Sequence, residues 1–191
     1  MYRFPFKFGV VILVGFFSVA WLASSACAIS KDVYANRAPW AQVETDIVMT
    51  LQAGDYLTIS AAETDLWTAN RNVTSYINNA NGKIGESYGN LGLTAPVGAL
   101  VGRINIGTIG TYTNDYYFLI GTNFGPTKVG QGLGELPAGP LYLLLWDGMY
   151  DDNFGDPING ESINYLTANV SVVTLTVKPL SIAPLLLLLL D

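Results

Sequence analysis

The sequence predicts an all-β domain, either a sandwich or a barrel, and three features support this prediction. The part of the chain after residue 30 is rich in Gly, Thr, Asn, Tyr and Val, and no long window of it shows helical spacing of apolar residues. Short segments instead alternate apolar and polar side chains, as strands with one covered face do. Turn-forming residues separate these segments at short, regular intervals, which is typical of sandwiches and barrels.

Two alternating segments near the start of this region predict a β-hairpin. Residues 45–51 and 56–61 each alternate apolar with other side chains, and the Gln-Ala-Gly-Asp sequence between them predicts a turn. Residues 70–93 are polar and rich in Gly and Asn, so we expect a long surface loop there. A loop of that length in a compact domain is often functional.

Four further segments fit strands: residues 98–106, 116–120, 141–146 and 169–177. In the first of these, we expect the face that carries Leu100, Gly102, Ile104 and Ile106 to point toward the core. The third, Leu-Tyr-Leu-Leu-Leu-Trp, is almost wholly apolar. A strand without alternation is typical of a central position with both faces covered.

The first 28 residues have the pattern of a secretory signal. Two early cations precede an apolar run over residues 8–23, and Ala26 and Ala28 supply the small residues of a cleavage site. We expect cleavage after Ala28, which predicts a secreted, periplasmic or cell-surface protein. An uncleaved membrane anchor is one alternative, because the run is almost long enough to span a bilayer. A lipoprotein acylated at Cys27 is a second, less favoured one, because Ser24 stands where a bulky aliphatic residue is normally expected.

The expected domain therefore covers residues 29–179, and residues 180–191 form a hydrophobic tail. The tail contains six consecutive leucines but is too short to cross a bilayer as a helix.

Composition excludes several classes of function. The formal net charge is −6, and removal of the two cations of the signal makes the remaining chain more acidic, which argues against nucleic acid as a partner. The chain has no His, and its single Cys lies in the signal. Imidazole bases, Cys nucleophiles, Ser-His-Asp triads and ordinary zinc sites are thus excluded from the expected domain. Any metal would be a hard cation bound by oxygen ligands.

An acidic segment follows the apolar strand at 141–146. Asp147, Asp151, Asp152 and Asn153 lie within seven residues, and four oxygen-bearing side chains in one tight loop suit a calcium ion. A solvated turn with Asx-type hydrogen bonds is the alternative that the composition leaves open.

Three segments resemble the PA-IL-like (LecA-type) calcium-dependent galactose-binding lectins. They are Gly-Asp-Tyr-Leu-Thr-Ile-Ser-Ala-Ala at 54–62, Ala-Pro-Val-Gly-Ala-Leu-Val-Gly-Arg-Ile at 95–104, and the stretch 141–155, which ends Asp-Asp-Asn-Phe-Gly. The resemblance covers roughly residues 33–178 and keeps the family order. It implies a jelly-roll-like β-sandwich of two antiparallel sheets, with one calcium ion at one end that binds two neighbouring galactose hydroxyls.

The resemblance also implies a set of site residues. The metal ligands would be the side chains of Asp147, Asp152 and Asn153 and the backbone carbonyls of Tyr150 and Trp67, with Asp65 competing for the last role. The residues that bind the sugar would be Asp147, Tyr150, Asp151 and Asp152. This chain departs from the family in having a shorter turn in the ion loop and no sugar-contacting histidine, which puts galactose specificity in question.

Together these features predict a non-enzymatic, calcium-dependent carbohydrate-binding module. Its partners would be glycans or glycoconjugates, with galactose-like sugars as candidates, and it could form a homo-oligomer. Aromatic side chains expected near the ion are Trp67, Tyr76, Tyr88, Trp146 and Tyr150, of which Trp146 is expected in the core. Two alternatives remain open: a structural or adhesive envelope module, and a glycoside hydrolase that pairs carboxylates from Asp147, Asp151, Asp152 and Glu135.

Overall fold

The computed structural model describes residues 22–35, 46–70, 74–107, 112–148 and 165–177. They form strands, together with a short 3₁₀ helix at Thr74–Tyr76. The strands, in chain order, are β1 Leu22–Tyr34, β2 Met49–Leu51, β3 Asp55–Ala61, β4 Trp67–Thr68, β5 Ile77–Asn78, β6 Ser87–Asn90, β7 Leu93–Pro96, β8 Ala99–Ile104, β9 Tyr116–Leu119, β10 Asn123–Lys128, β11 Gly139–Trp146 and β12 Tyr165–Val177.

Eight of these strands form two four-stranded sheets. The first sheet has the order β1-β12-β3-β10, and the second sheet has the order β2-β11-β8-β9. Antiparallel ladders join β3 to both of its neighbours and β11 to both of its neighbours. The chain moves repeatedly from one sheet to the other, as in a jelly roll. The predicted all-β sandwich of two antiparallel sheets is therefore confirmed.

A single apolar core lies between the two sheets. Because side chains alternate along a strand, every second residue of β3, β8, β11 and β12 points into this core. The central residues it contains are Leu57, Ile59, Leu100, Ile104, Leu141, Leu143, Leu145, Val170 and Val172. Burial of these side chains is the main favourable contribution to folding, at roughly 1.5–3 kcal/mol for each large one.

The second sheet is covered on its outer face as well. Val101, Leu144 and Trp146 point away from the central core and form a second apolar cluster. The hairpin of β6 and β7 packs over them with Tyr88 and Leu93. Since all six residues of 141–146 are buried, the prediction that this strand is central with both faces covered is confirmed.

The predicted hairpin of residues 45–51 and 56–61 is wrong. The two strands exist as β2 and β3, but β2 pairs with β11 in the second sheet, whereas β3 belongs to the first. The turn between them carries the chain across the sandwich. Buried Asp55 holds this turn, because its carboxylate accepts hydrogen bonds from the Gln52 N–H at 2.8 Å and from the Thr174 hydroxyl at 2.6 Å.

Two other expectations need correction. Residues 70–93 are not a structureless loop, since they hold the 3₁₀ helix, β5 and β6. On β8, Leu100 and Ile104 face the core as predicted and the Phe118 ring occupies the space beside Gly102. Ile106, in contrast, lies beyond the end of β8 and is 54% exposed.

β1 spans the predicted cleavage site after Ala28, and the tail at 180–191 lies outside the described residues. No helix within the described part of the chain is long and apolar enough to cross a membrane.

A buried ion pair completes the outer side of the second sheet. Arg103 Nε lies 2.6 Å from Asp115 Oδ2, and both side chains are almost fully buried. Asn105 Nδ2 donates to the other carboxylate oxygen at 3.0 Å, and the Arg103 guanidinium lies 4.5 Å from the centroid of the Tyr142 ring. Burial raises the pKa of nearby Tyr117 to about 12, which marks this region as poorly hydrated.

Replacement of Arg103 tests how strongly this ion pair holds the second sheet together. We expect Arg103→Met to lower the free energy of unfolding by about 3–5 kcal/mol, because it leaves the Asp115 carboxylate buried without its cation. The double variant Arg103→Met with Asp115→Leu should be less destabilised than the single one. Chemical denaturation measures both, and a single-variant loss below about 1 kcal/mol would mean that the pair behaves like an exposed salt bridge.

Candidate functional site

A cleft of about 270 Å³ opens at the end of the sandwich where β11 stops. Its walls come from the segment after β4, from the 3₁₀ helix and β6, and from the residues that follow β11. The side chains and backbone that line it belong to Ala69, Asn70, Tyr76, Glu86, Ser87, Tyr88, Val97, Asp147 and Gly148. The lining therefore combines two aromatic rings with carboxylate, amide and hydroxyl groups.

A chain of three hydrogen bonds fixes the end of β11 beneath this cleft. Trp146 Nε1 donates to the Tyr88 carbonyl at 2.7 Å, and the Gly98 N–H donates to the Trp146 carbonyl at 2.8 Å. Trp67 Nε1 in turn donates to the Gly98 carbonyl at 2.7 Å. The two buried indoles thus anchor the strand end, and the next residue, Asp147, lies in the wall of the cleft. Its Oδ1 accepts the Gly148 N–H at 2.6 Å.

Tyr88 packs against this strand end. Its ring lies 5.9 Å from the Trp146 ring, centroid to centroid, and rests against Gly148. A Cβ at Gly148 would lie 3.2 Å from Tyr88 Cε2, so a larger residue there would push the ring aside. The absence of a side chain at Gly148 therefore sets how close Tyr88 comes to the segment that carries Asp147.

Beside the same cleft, Tyr76, Lys83 and Glu86 form a compact group that we call the tyrosine clamp. The Tyr76 hydroxyl donates to Glu86 Oε1 at 2.6 Å, and Lys83 Nζ lies 2.6 Å from Glu86 Oε2. Lys83 Nζ also lies 3.6 Å from the centroid of the Tyr76 ring. These contacts hold the ring of Tyr76 in one orientation beside the cleft.

Contacts within the tyrosine clamp shift the pKa values of Glu86 and Tyr76. The ammonium group of Lys83, followed by the Tyr76 hydroxyl, holds the pKa of Glu86 below its ordinary value. The Glu86 carboxylate in turn raises the pKa of Tyr76, because it accepts the phenolic proton in a hydrogen bond. At neutral pH, Glu86 is therefore an ionised, hydrogen-bonded group rather than a proton donor.

The structure brings together some of the residues that the sequence predicted. Asp147 lies on the cleft wall, and Tyr76 and Tyr88 line the same cleft. Trp146 belongs to the core, as expected. Trp67 is also fully buried, and Ala69 and Asn70, just beyond it, reach the cleft.

The other predicted ligands, Tyr150, Asp151, Asp152 and Asn153, lie outside the described residues. Within the part of the chain that the structure describes, no group of three or more acidic, Cys or His side chains converges on one point.

Glu135 lies elsewhere. Its carboxylate accepts the Gly132 N–H at 2.8 Å and pairs with Lys128 Nζ at 2.7 Å, so it closes a surface loop and does not line the cleft. Glu86, Asn70 and Ser87, in contrast, line the cleft although the sequence does not single them out, because residues 70–93 have the composition of a surface loop. The Asn-Leu-Gly sequence between β6 and β7, with flanking Tyr88 and Leu93, is a hairpin signal that could have located this wall.

In comparisons with known proteins, no family model, curated protein or solved structure matches the chain.

Melting temperatures at neutral and acid pH test whether the tyrosine clamp stabilises the fold. Because the folded pKa of Glu86 is lowered, its stabilising contribution is present at neutral pH and is lost as the pH falls through that value. We expect Glu86→Gln to melt at a slightly lower temperature than the parent at pH 7, with no difference at about pH 3. Thermal melts over this range measure the effect. Glu63→Gln, at an exposed turn, is the matched control, and a difference that persists unchanged in acid would contradict the assigned role.

Proposed function

We propose that this protein is a non-enzymatic, calcium-dependent carbohydrate-binding module that is exported to the periplasm, cell surface or medium. One observation carries the proposal: Asp147, which begins the acidic segment, shares a single cleft with the rings of Tyr76 and Tyr88. A carboxylate and aromatic rings in one cleft are the combination that recognition of a sugar through a metal ion would use. The resemblance of three sequence segments to PA-IL-like lectins supports the same function.

The cation would be held at the Asp147 side of the cleft. A carboxylate oxygen is a ligand type that Ca²⁺ prefers, and Asp151, Asp152 and Asn153 supply more oxygen atoms a few residues later. When bound, calcium supplies open coordination positions for neutral oxygen atoms such as the two hydroxyls of a vicinal diol. Asp147 fits this role because it is fixed at the end of a buried strand and lies in the cleft wall.

The remaining lining suits a neutral sugar. Tyr76 and Tyr88 offer aromatic faces for the apolar face of a pyranose, and Ser87 and Asn70 offer hydrogen-bonding groups. Sugars that carry a carboxylate would meet Asp147 and ionised Glu86 and be disfavoured by like charge. We therefore propose neutral, galactose-like sugars at the end of a glycan as the ligand class.

Hydrolysis is less well supported by the same cleft. Glycosidases need one carboxylic acid that is protonated at working pH, together with a second, ionised carboxylate. Glu86 is the second carboxylate that lines the cleft, but Lys83 and Tyr76 hold its pKa below the ordinary value. Glu86 therefore lacks the raised pKa that a general acid requires.

Replacement of Asp147 tests the calcium part of the proposal. We expect calcium to raise the melting temperature of the parent protein, by an amount that corresponds to about 2.7 kcal/mol at 100 times the Kd. Asp147→Asn should abolish this rise and, in a glycan array, all calcium-dependent binding. Glu63→Gln controls for weak calcium binding at the surface. A calcium-stabilised parent that binds no glycan would favour the structural or adhesive alternative, and an equal calcium effect in Asp147→Asn would contradict the proposal.

Two substitutions at Tyr76 separate the sugar from the ion. Tyr76→Leu removes the ring, and we expect sugar affinity to fall by up to about tenfold, because aromatic contacts contribute about 0.5–1.5 kcal/mol. Tyr76→Phe keeps the ring and should retain more of the affinity. The calcium-dependent melting shift should be unchanged in both variants. Isothermal titration with the best array ligand measures the affinities, and equal affinities for the two variants would show that the ring does not touch the sugar.

A further inference from the structure

The outer edge of β12 is covered by β1 in this structure. β12 lies between β3 and β1 in the first sheet, so β1 occupies the edge that faces away from β3. The Thr167 hydroxyl donates to Asp32 Oδ1 at 3.0 Å, which places these two residues side by side. Ala28 and Ser30 line the same hollow as Asn169 and Ser171. The two strands thus run antiparallel, with Ala28 beside Ser171 and the residues before Ala28 beside those after Ser171.

Export cleavage after Ala28 would remove half of this cover. The part of β1 that remains, from Ile29 onward, lies beside the first half of β12. The second half of β12, which begins at Ser171, would lose β1 as its neighbour on the edge that faces away from β3. This step rests on the cleavage that we propose for the exported protein and is independent of sugar binding.

The uncovered edge has the properties of a strand that pairs readily. Residues 171–177 read Ser-Val-Val-Thr-Leu-Thr-Val, with no charge and no Pro, and most of them are β-branched. Val172 packs in the core, whereas Leu175 is 43% exposed. Natural proteins normally protect such edges with charges, Pro or bulges, and β12 carries none of these over this segment.

We propose that the edge of β12 uncovered by cleavage pairs with the same edge of a second copy of this chain. Antiparallel pairing about a two-fold axis at Thr174 would place Val173 of one copy opposite Leu175 of the other. The two strands are uncharged over this segment, so they can meet although each chain is acidic overall. Pro179 follows shortly and lacks the N–H group that a ladder needs, so the chain leaves the pair at that point.

The exported protein provides the first test. Mass spectrometry identifies its N-terminus, and sedimentation equilibrium under reducing conditions, which exclude disulfide dimers through any remaining Cys27, gives its mass. We expect the processed chain to be a dimer, and a synthetic peptide of residues 22–28 to convert it to a monomer by refilling the edge. The same peptide with Ser25→Pro should have no effect. A processed chain that is monomeric, or a dimer that the peptide leaves intact, would overturn the proposal.

Charged residues introduced into β12 test which residues of the two copies lie opposite each other. Val173→Lys with Leu175→Lys puts like charges opposite each other across the axis and should give a monomer, whereas Val173→Lys with Leu175→Glu should restore the dimer. Thermal melts establish that both double variants fold. Equal masses for the two variants would overturn the pairing about Thr174.

The tests also separate this proposal from the proposed function. If residues 24–28 remain on the exported chain, the cleavage proposal fails, and Ser25→Pro in the full chain should then expose the edge and produce the dimer. A monomer in that variant would overturn the edge proposal, while calcium-dependent glycan binding is scored independently on the same samples.

Discussion

The burial of β11 on both faces is the constraint on which the rest of the structure depends. Its sequence places apolar side chains on the two sides of the strand, so each side must be covered. The first sheet covers one side through the central core, and the hairpin of β6 and β7 covers the other. Without that hairpin, Leu144 and Trp146 would be exposed to water. A third layer over the second sheet is therefore a consequence of the sequence of a single strand.

The same constraint builds the candidate site. The hairpin that covers Trp146 also carries Tyr88, and the segment before it carries Glu86 and Tyr76. Where the apolar strand stops, the polar residue Asp147 comes next and lies in the wall of the cleft. The cleft opens at this end of the sandwich, between the residues that follow β11 and those of β6 and the 3₁₀ helix. Its floor is rigid because Trp146 and Trp67 are both buried and both hydrogen-bonded to backbone carbonyls. Rigid support is what a site needs in order to hold a ligand in one geometry.

The fold was more predictable from sequence than the site, for a physical reason. Alternation and apolar runs report burial, so they located β3, β9, β11 and β12 and the central position of β11. They do not report which strand is the neighbour, and the turn at Asp55 looked like a hairpin although it crosses between sheets. β5 and β6 are not recognisable from the pattern, because residues 70–93 are rich in Gly and Asn and have the composition of a loop. The position of Asp147 at the end of a buried strand can be predicted from the sequence, whereas the place of Glu86 beside the cleft depends on tertiary contacts with Lys83 and Tyr76.

The pairing edge and the cleft lie at opposite ends of the sandwich. Thr174 bonds to Asp55 in the turn that follows β2, at the end where β11 begins, while the cleft lies where β11 stops. In a dimer joined about Thr174, the two clefts would therefore lie at the two far ends. Two sites held apart on a rigid sheet can engage two glycans on one surface, and the second binding event is then favoured by a raised effective concentration. A modest affinity of each cleft for a single sugar would then suffice for adhesion, so the edge of β12 and the cleft would contribute to one function through avidity.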